Sequence, residues 1–157
     1  MNVLLFDKAK IAFVQGRFDE AVEAFSGVLD ESPKNPLALH SRGTAKFNMK
    51  DFEGAIADYD AYIALNANSE KVLTSRGAAK LALGKNEEAL EDFNRAIEVN
   101  EFYPSAYFGR AEAFTRLGDE QQAQMDIDVG SRIAQKLGQS QMEGAGIMFQ
   151  DGGPGGG

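Results

Sequence analysis

The chain has 157 residues, 43% of them hydrophobic and 25% charged, the balance of a globular domain that can bury a real core. Its net charge of −8 argues against nucleic acid and against an anionic membrane surface, because both need a surplus of Lys and Arg on one face. There is no cysteine, which excludes disulfides, thiolate metal sites and cysteine nucleophiles. No apolar run approaches the ~20 residues of a membrane span. Val3-Leu4-Leu5-Phe6 is cut off by Asp7 and Lys8, too short for the ~7–15-residue apolar core of a signal peptide. The expected location is the cytoplasm.

In chain order, helical periodicity predicts helices near 2–15, 18–31, 36–49, 52–65, 70–83, 86–99, 104–117 and 120–137. Pro36 and Pro104 open the third and seventh, where a missing N–H costs nothing. The eight segments are four copies of one pair. SRGTAK at 41–46 returns as SRGAAK at 75–80, an offset of 34 residues. The same step links Ala21, Ala55, Ala89 and Ala123; Phe25, Tyr59, Phe93 and Ile127; Ala9, Gly43, Gly77 and Ala111; and Gly16, Lys50, Gly84 and Gly118. The small columns let two helices approach closely, and the aromatic column fills the space beside them. One pair cannot bury its apolar face alone, so the pairs must stack.

GRFDEAVEAF, SRGAAKLALGKNEEALEDFNRAI and AYFGRAEAFTRLGDEQQA resemble the tetratricopeptide repeat (TPR) family. The resemblance covers residues 2–137 as four repeats, near 2–35, 36–69, 70–103 and 104–137. It implies an all-α, right-handed superhelical solenoid of antiparallel helix pairs. The chain departs from the family pattern in two columns. Where the family favours Pro it holds Pro33, Ala67, Glu101 and Gln135, and the turn aromatics Phe18 and Phe52 give way to Asn86 and Glu120.

Two columns mark the end of the stack. Val22, Ile56 and Leu90 lead to Gln124, and Leu29, Ile63 and Ile97 lead to Ser131. A polar fourth member suits a terminal unit with a wettable outer face, and no separate capping helix is evident. Residues 138–157 are rich in Gly and polar residues and are expected to form a flexible tail. Within it, Ile147-Met148-Phe149 is either part of a linker or a short peptide ligand, for instance for a neighbouring copy's groove.

Arg42, Arg76 and Arg110 share a column in which the first unit has Lys8, and Asp58, Asp92 and Asp126 share one in which it has Ala24. The two columns switch together, which predicts a repeated structural Arg–Asp ion pair, since a planar guanidinium suits a carboxylate. The alternative is three arginines free for a ligand.

Nothing in the sequence assembles a catalytic site, a metal site or a cofactor site. His40 is the only histidine, the carboxylates sit on helical faces beside Lys and Arg, and no glycine loop could cradle a phosphate. The resemblance instead implies a peptide-binding groove lined by the first helix of each pair. Those helices carry net positive charge, and the second helices carry net negative charge. Inward places fall on Phe6, Lys10 and Phe13; Leu37, His40, Thr44 and Phe47; Lys71, Thr74, Ala78 and Leu81; and Phe108, Glu112 and Thr115. The aromatics either anchor a peptide or pack between helices, and His40 is a contact, a pH-sensitive group or a surface residue without a role. A subgroup of the family grips chaperone C-termini with five polar or basic side chains. Here those places hold Phe6, Lys10, Ser41, Lys71 and Ser75, and only Lys71 matches, so that use is not expected. The expected function is a non-catalytic protein-interaction module that binds a peptide segment. The alternative is a weakly self-associating scaffold that uses its convex face, solenoid ends or tail.

Overall fold

The computed structural model describes residues 3–144. Eight helices follow one another: α1 (Val3–Val14), α2 (Phe18–Glu31), α3 (Pro36–Asn48), α4 (Phe52–Leu65), α5 (Glu70–Ala82), α6 (Asn86–Val99), α7 (Pro104–Arg116) and α8 (Glu120–Gly144). Each packs against its chain neighbour, so four hairpins stack in order. Local chemistry sets the boundaries. Asn35, Asp51, Ser69 and Asp119 accept the N–H of the residue three further on, at 3.0, 3.0, 3.3 and 3.1 Å. This satisfies helix donors that have no partner within the helix.

The turn inside each hairpin is one motif used four times. Gly16, Lys50, Gly84 and Gly118 all have φ between 63° and 83°. The next residue then donates its N–H back into the preceding helix: Arg17 to Ala12, Asp51 to Lys46, Lys85 to Lys80 and Asp119 to Phe114, each at 2.9 Å. Three of the four positions are glycine because an L side chain is strained there. Lys50 carries that strain.

Inside the first three hairpins the aromatic column is sealed, while its fourth member, Ile127, is exposed. Phe25, Tyr59 and Phe93 are at most 1% exposed. A Cβ on Gly43 would stand 2.7 Å from Tyr59 Cε1, and one on Gly77 would stand 2.8 Å from Phe93 Cε1. That is closer than carbon atoms pack, so these two glycines are required by their aromatic neighbours. Ala9 and Ala111 hold the same place in the outer units.

The last helix differs from the sequence reading. It does not end near 137 but runs through Gly138 to Gly144. Gly138 has no positive φ, and the following Gln-Ser-Gln-Met-Glu contains no breaker. A lone glycine costs a helix about 1 kcal/mol without stopping it. The expected flexible tail therefore loses its first residues to α8, and its remainder lies outside the described residues. Gln124 and Ser131 are exposed on α8, as a terminal unit requires.

Candidate functional site

The stack curves toward its first helices. α3 touches α5 and α5 touches α7, whereas successive second helices make no comparable contact. The inner surface therefore belongs to α3, α5 and α7, and α1 holds the equivalent place in the first unit.

The fourteen candidate groove residues differ in how they meet this surface. Phe6 and Leu81 are core side chains rather than surface ones, at 9% and 6% exposure. Phe6 meets Phe25 edge-on at 6.0 Å, and Leu81 packs with Ala89, Phe93 and Ala113. Their spacing matched the inner face, but they sit in the crease between the two helices of a hairpin. Phe13, Phe47 and Phe108 are partly engaged. Phe13 and Phe47 meet the turn aromatics Phe18 and Phe52 edge-on at 5.6 and 5.2 Å. The Phe108 ring lies over Gly130 of α8, where a Cβ would come within 3.0 Å of it. Leu37, Lys71, Glu112 and Thr115 are exposed, while His40, Thr44, Thr74 and Ala78 are half-buried between helices. Lys10 is spoken for, 3.1 Å from Asp7 and 5.4 Å from the Phe6 ring centre. Glu112 accepts from Arg116 at 2.8 Å.

Between α3 and α5 these residues open a hollow of about 280 Å³ lined by Thr44, Phe47, Asn48, Tyr59, Ser75 and Ala78. Its floor is the edge of Tyr59, whose hydroxyl lies 3.2 Å from Thr44 Oγ1. Burial pushes that phenol above its ordinary pKa. His40 flanks the hollow, with its ring 6.0 Å from Tyr59 and 6.3 Å from Tyr62. Burial, and then the Lys71 charge, hold the imidazole below its ordinary pKa, so it is neutral at pH 7. Lys71 itself makes no ion pair among the described residues. Thr74 Oγ1 is buried there without a hydrogen-bond partner among them.

The arginine column sits behind the groove and is tied down twice. Arg42 donates to both oxygens of Asp58 at 2.9 and 2.6 Å, Arg76 to both of Asp92 at 2.9 and 2.7 Å, and Arg110 to both of Asp126 at 2.8 and 2.7 Å. The remaining guanidinium nitrogen reaches the preceding unit. It meets Ser26 at 3.1 Å, Asp60 at 2.7 Å and Asn94 at 3.0 Å. Each arginine thus closes its own hairpin and stitches it to the one before. Hydrogen bonds to Asp92 and Asp60 raise the Arg76 pKa further against the effect of burial. A second cation also serves the two middle acids: Lys46 at 3.1 Å from Asp58 and Lys80 at 3.0 Å from Asp92. In the fourth unit Phe114 takes that place, and the Arg110 guanidinium lies 6.0 Å from its ring centre. Sequence reading missed the lysines, although they stand four residues after Arg42 and Arg76. With five cations committed to carboxylates, Lys71 is the groove's main unspent charge.

Comparison with known proteins places this geometry. Family profiles described as "Tetratricopeptide repeat" and "TPR repeat" match residues 6–70 and 77–118. The first TPR domain of the human RPAP3 protein is 32% identical, with a TM-score of 0.70, covering 77% of this chain and 95% of that one. The first TPR of Spaghetti (RPAP3), solved bound to the HSP90 peptide SRMEEVD, is 33% identical with a TM-score of 0.71, covering 74% of this chain and 92% of that one. A crystal structure of MamA covers 92% of this chain and 82% of that one with a TM-score of 0.76. At 22% identity it speaks for the fold alone. Human RNA polymerase II-associated protein 3 is 37% identical over 64 residues, which is 41% of this chain and 10% of that protein. The chain therefore spans about a tenth of the length of the curated relatives it matches.

Proposed function

Because the chain belongs to the tetratricopeptide repeat family, we propose that this protein-interaction module works by holding a peptide segment of a partner against its inner face, with no catalytic step. The observation that carries this reading is the hollow between α3 and α5, with Lys71, exposed and without an ion pair among the described residues, one helical turn before Ser75 of its lining, and Leu37 exposed further along α3. An apolar floor with a few polar groups and one free cation suits a peptide that inserts a side chain and presents a carboxylate or carbonyl to Lys71. The solved TPR with a bound peptide supports the mode. It does not supply the ligand, because the five places that grip a chaperone tail hold Phe6, Lys10, Ser41, Lys71 and Ser75 here.

The test is selection of peptides from a random display library, followed by calorimetry on wild type and a Leu37→Ser/Lys71→Glu variant with unchanged helicity. The double change is expected to weaken a selected peptide at least about tenfold, or ~1.4 kcal/mol. Equal affinity in both proteins would reject the groove.

A second reading, self-association through a solenoid end, is favoured by one observation. Ala38, Val72 and Ala106 form one column and Ala45, Ala79 and Ala113 another, all at most 1% exposed. In α1 the same columns hold Leu4 and Ile11, at 83% and 55% exposure. Sedimentation that depends on concentration in wild type but not in Leu4→Lys/Ile11→Lys would support it, and a constant monomer mass would reject it.

A further inference from the structure

The outer end of the last unit carries a pocket that none of the readings above uses. It has a volume of about 310 Å³ and is lined by Phe102, Val129, Arg132, Ile133, Lys136 and Leu137. The repeat supplies an internal control, because the same place one unit earlier is lined by Asn68, Arg95, Glu98 and Val99. There Arg95 reaches across to the Ala67 carbonyl at 3.1 Å. One period later the arginine has become Val129, the asparagine Phe102, and the glutamate Arg132. The lining has switched from polar with one charge of each sign, Arg95 and Glu98, to apolar with two cations, and Lys136 and Leu137 come from the stretch of α8 that continues past the point where α6 ends.

The pocket is also preformed. Asn100 Oδ1 accepts the Phe102 N–H at 3.0 Å, and Tyr107 donates its hydroxyl to the Glu101 carbonyl at 2.9 Å. This holds the loop while the Phe102 side chain stays 63% exposed. The extension of α8 past residue 137 continues the same stripe, since residues 129, 133, 136, 137, 140 and 144 recur on one helical face. The described chain therefore ends at Gly144 on the face that carries the pocket.

Beyond that point the sequence is Ala-Gly-Ile-Met-Phe-Gln-Asp before the final glycines: a small hinge, three apolar side chains and an acid. We propose that Ile147–Asp151 of the same molecule docks in this pocket, with Phe149 against Phe102, Ile133 and Leu137 and Asp151 between Arg132 and Lys136. The reach is sufficient. Leu137 lies about 10 Å back along the helix from Gly144, and Arg132 about 18 Å back. Five residues of extended chain carry Phe149 up to about 17 Å, and seven carry Asp151 about 23 Å, which leaves slack for a reversal. An apolar triplet followed by a carboxylate matches an apolar floor with two cations at one rim. The equivalent pocket of the third unit offers no such pair of cations, since Arg95 there stands beside Glu98 and is bonded to the Ala67 carbonyl.

The proposal is tested by NMR on the full-length chain with isotope-labelled methyl groups and aromatic rings. Expected are contacts from the Phe149 ring to the Ile133 and Leu137 methyls, with methyl shifts that do not vary with protein concentration. Phe149→Ala should abolish them without changing helicity. Arg132→Glu should weaken them, and Arg132→Glu with Asp151→Arg should restore them. Absence of the contacts in wild type overturns the proposal. So does their appearance only between labelled and unlabelled copies in a mixed sample, which would make the occupant a second molecule's tail. Contacts that survive Phe149→Ala at other tail residues would overturn the assigned anchor.

Discussion

In the second and third units Arg42 and Arg76 close each hairpin onto Asp58 and Asp92, carboxylates that are 3% exposed and share a further lysine. In the first unit the corresponding positions hold Lys8 and Ala24, and the crease is filled by Phe6 edge-on to Phe25. The hairpin geometry is the same. The aromatic contact is tolerant and non-directional, whereas the buried acid requires its cations and they require it. The middle of the stack is therefore fixed in register by buried ion pairs, and the first hairpin, tied to the second through Ser26, is closed mainly by apolar contact.

The largest expected effects come from breaking each arrangement in turn. Asp92→Ala strands Arg76 and Lys80 beside a buried gap and should cost about 3–5 kcal/mol in denaturant unfolding. Phe25→Ala should cost a similar ~3–5 kcal/mol by leaving a cavity. Its loss should be confined to the first unit, and amide exchange should show α1 and α2 opening while α5 and α6 stay protected. Uniform opening in both variants would contradict the division.

Smaller changes sharpen it. Gly77→Ala should destabilise by about 1 kcal/mol net, since overpacking against Phe93 costs about 1–3 and helix propensity returns about 1. Lys50→Gly should raise stability by ~0.5–1 kcal/mol, because it relieves a left-handed backbone that Gly16 already spares the first unit. His40 replaces Phe6 in the second unit and brings in a pH term. Its folded-state pKa lies below the unfolded value of 6.5, so the unfolded chain binds the proton more readily. Stability should be complete above pH 6.5 and decline as pH falls toward the folded pKa. The imidazole titration seen by NMR should have its midpoint below 6.5, and Lys71→Met should move it up.

Much of this was legible in the sequence because a repeat writes each position several times. The helix boundaries follow from Pro36, Pro104 and the Gly16 column, and the co-switching of Lys8 with Ala24 pointed to the ion pair. What the sequence hid was directional. Phe6 and Leu81 share the inner periodicity with Leu37, but helical spacing does not separate a groove wall from the hairpin crease beneath it. The stitch to Ser26, Asp60 and Asn94 lies sixteen residues before each arginine, as the pairing acid lies sixteen after it. Its members share hydrogen-bonding capacity rather than identity, so no residue type announced it. The continuation of α8 was missed because Gly138 looked like a stop, and nothing crowds or strains it there.

That mismatch between the two partners of each arginine bears on how such a chain can grow. Within a unit the acceptor is always aspartate, but across the border a hydroxyl, a carboxylate and an amide all serve. A tandem duplication or deletion of one unit would therefore bring an arginine beside a neighbour it can already use. The seams are permissive where the units are strict, and recombination at a seam leaves each buried charge with its own counterion.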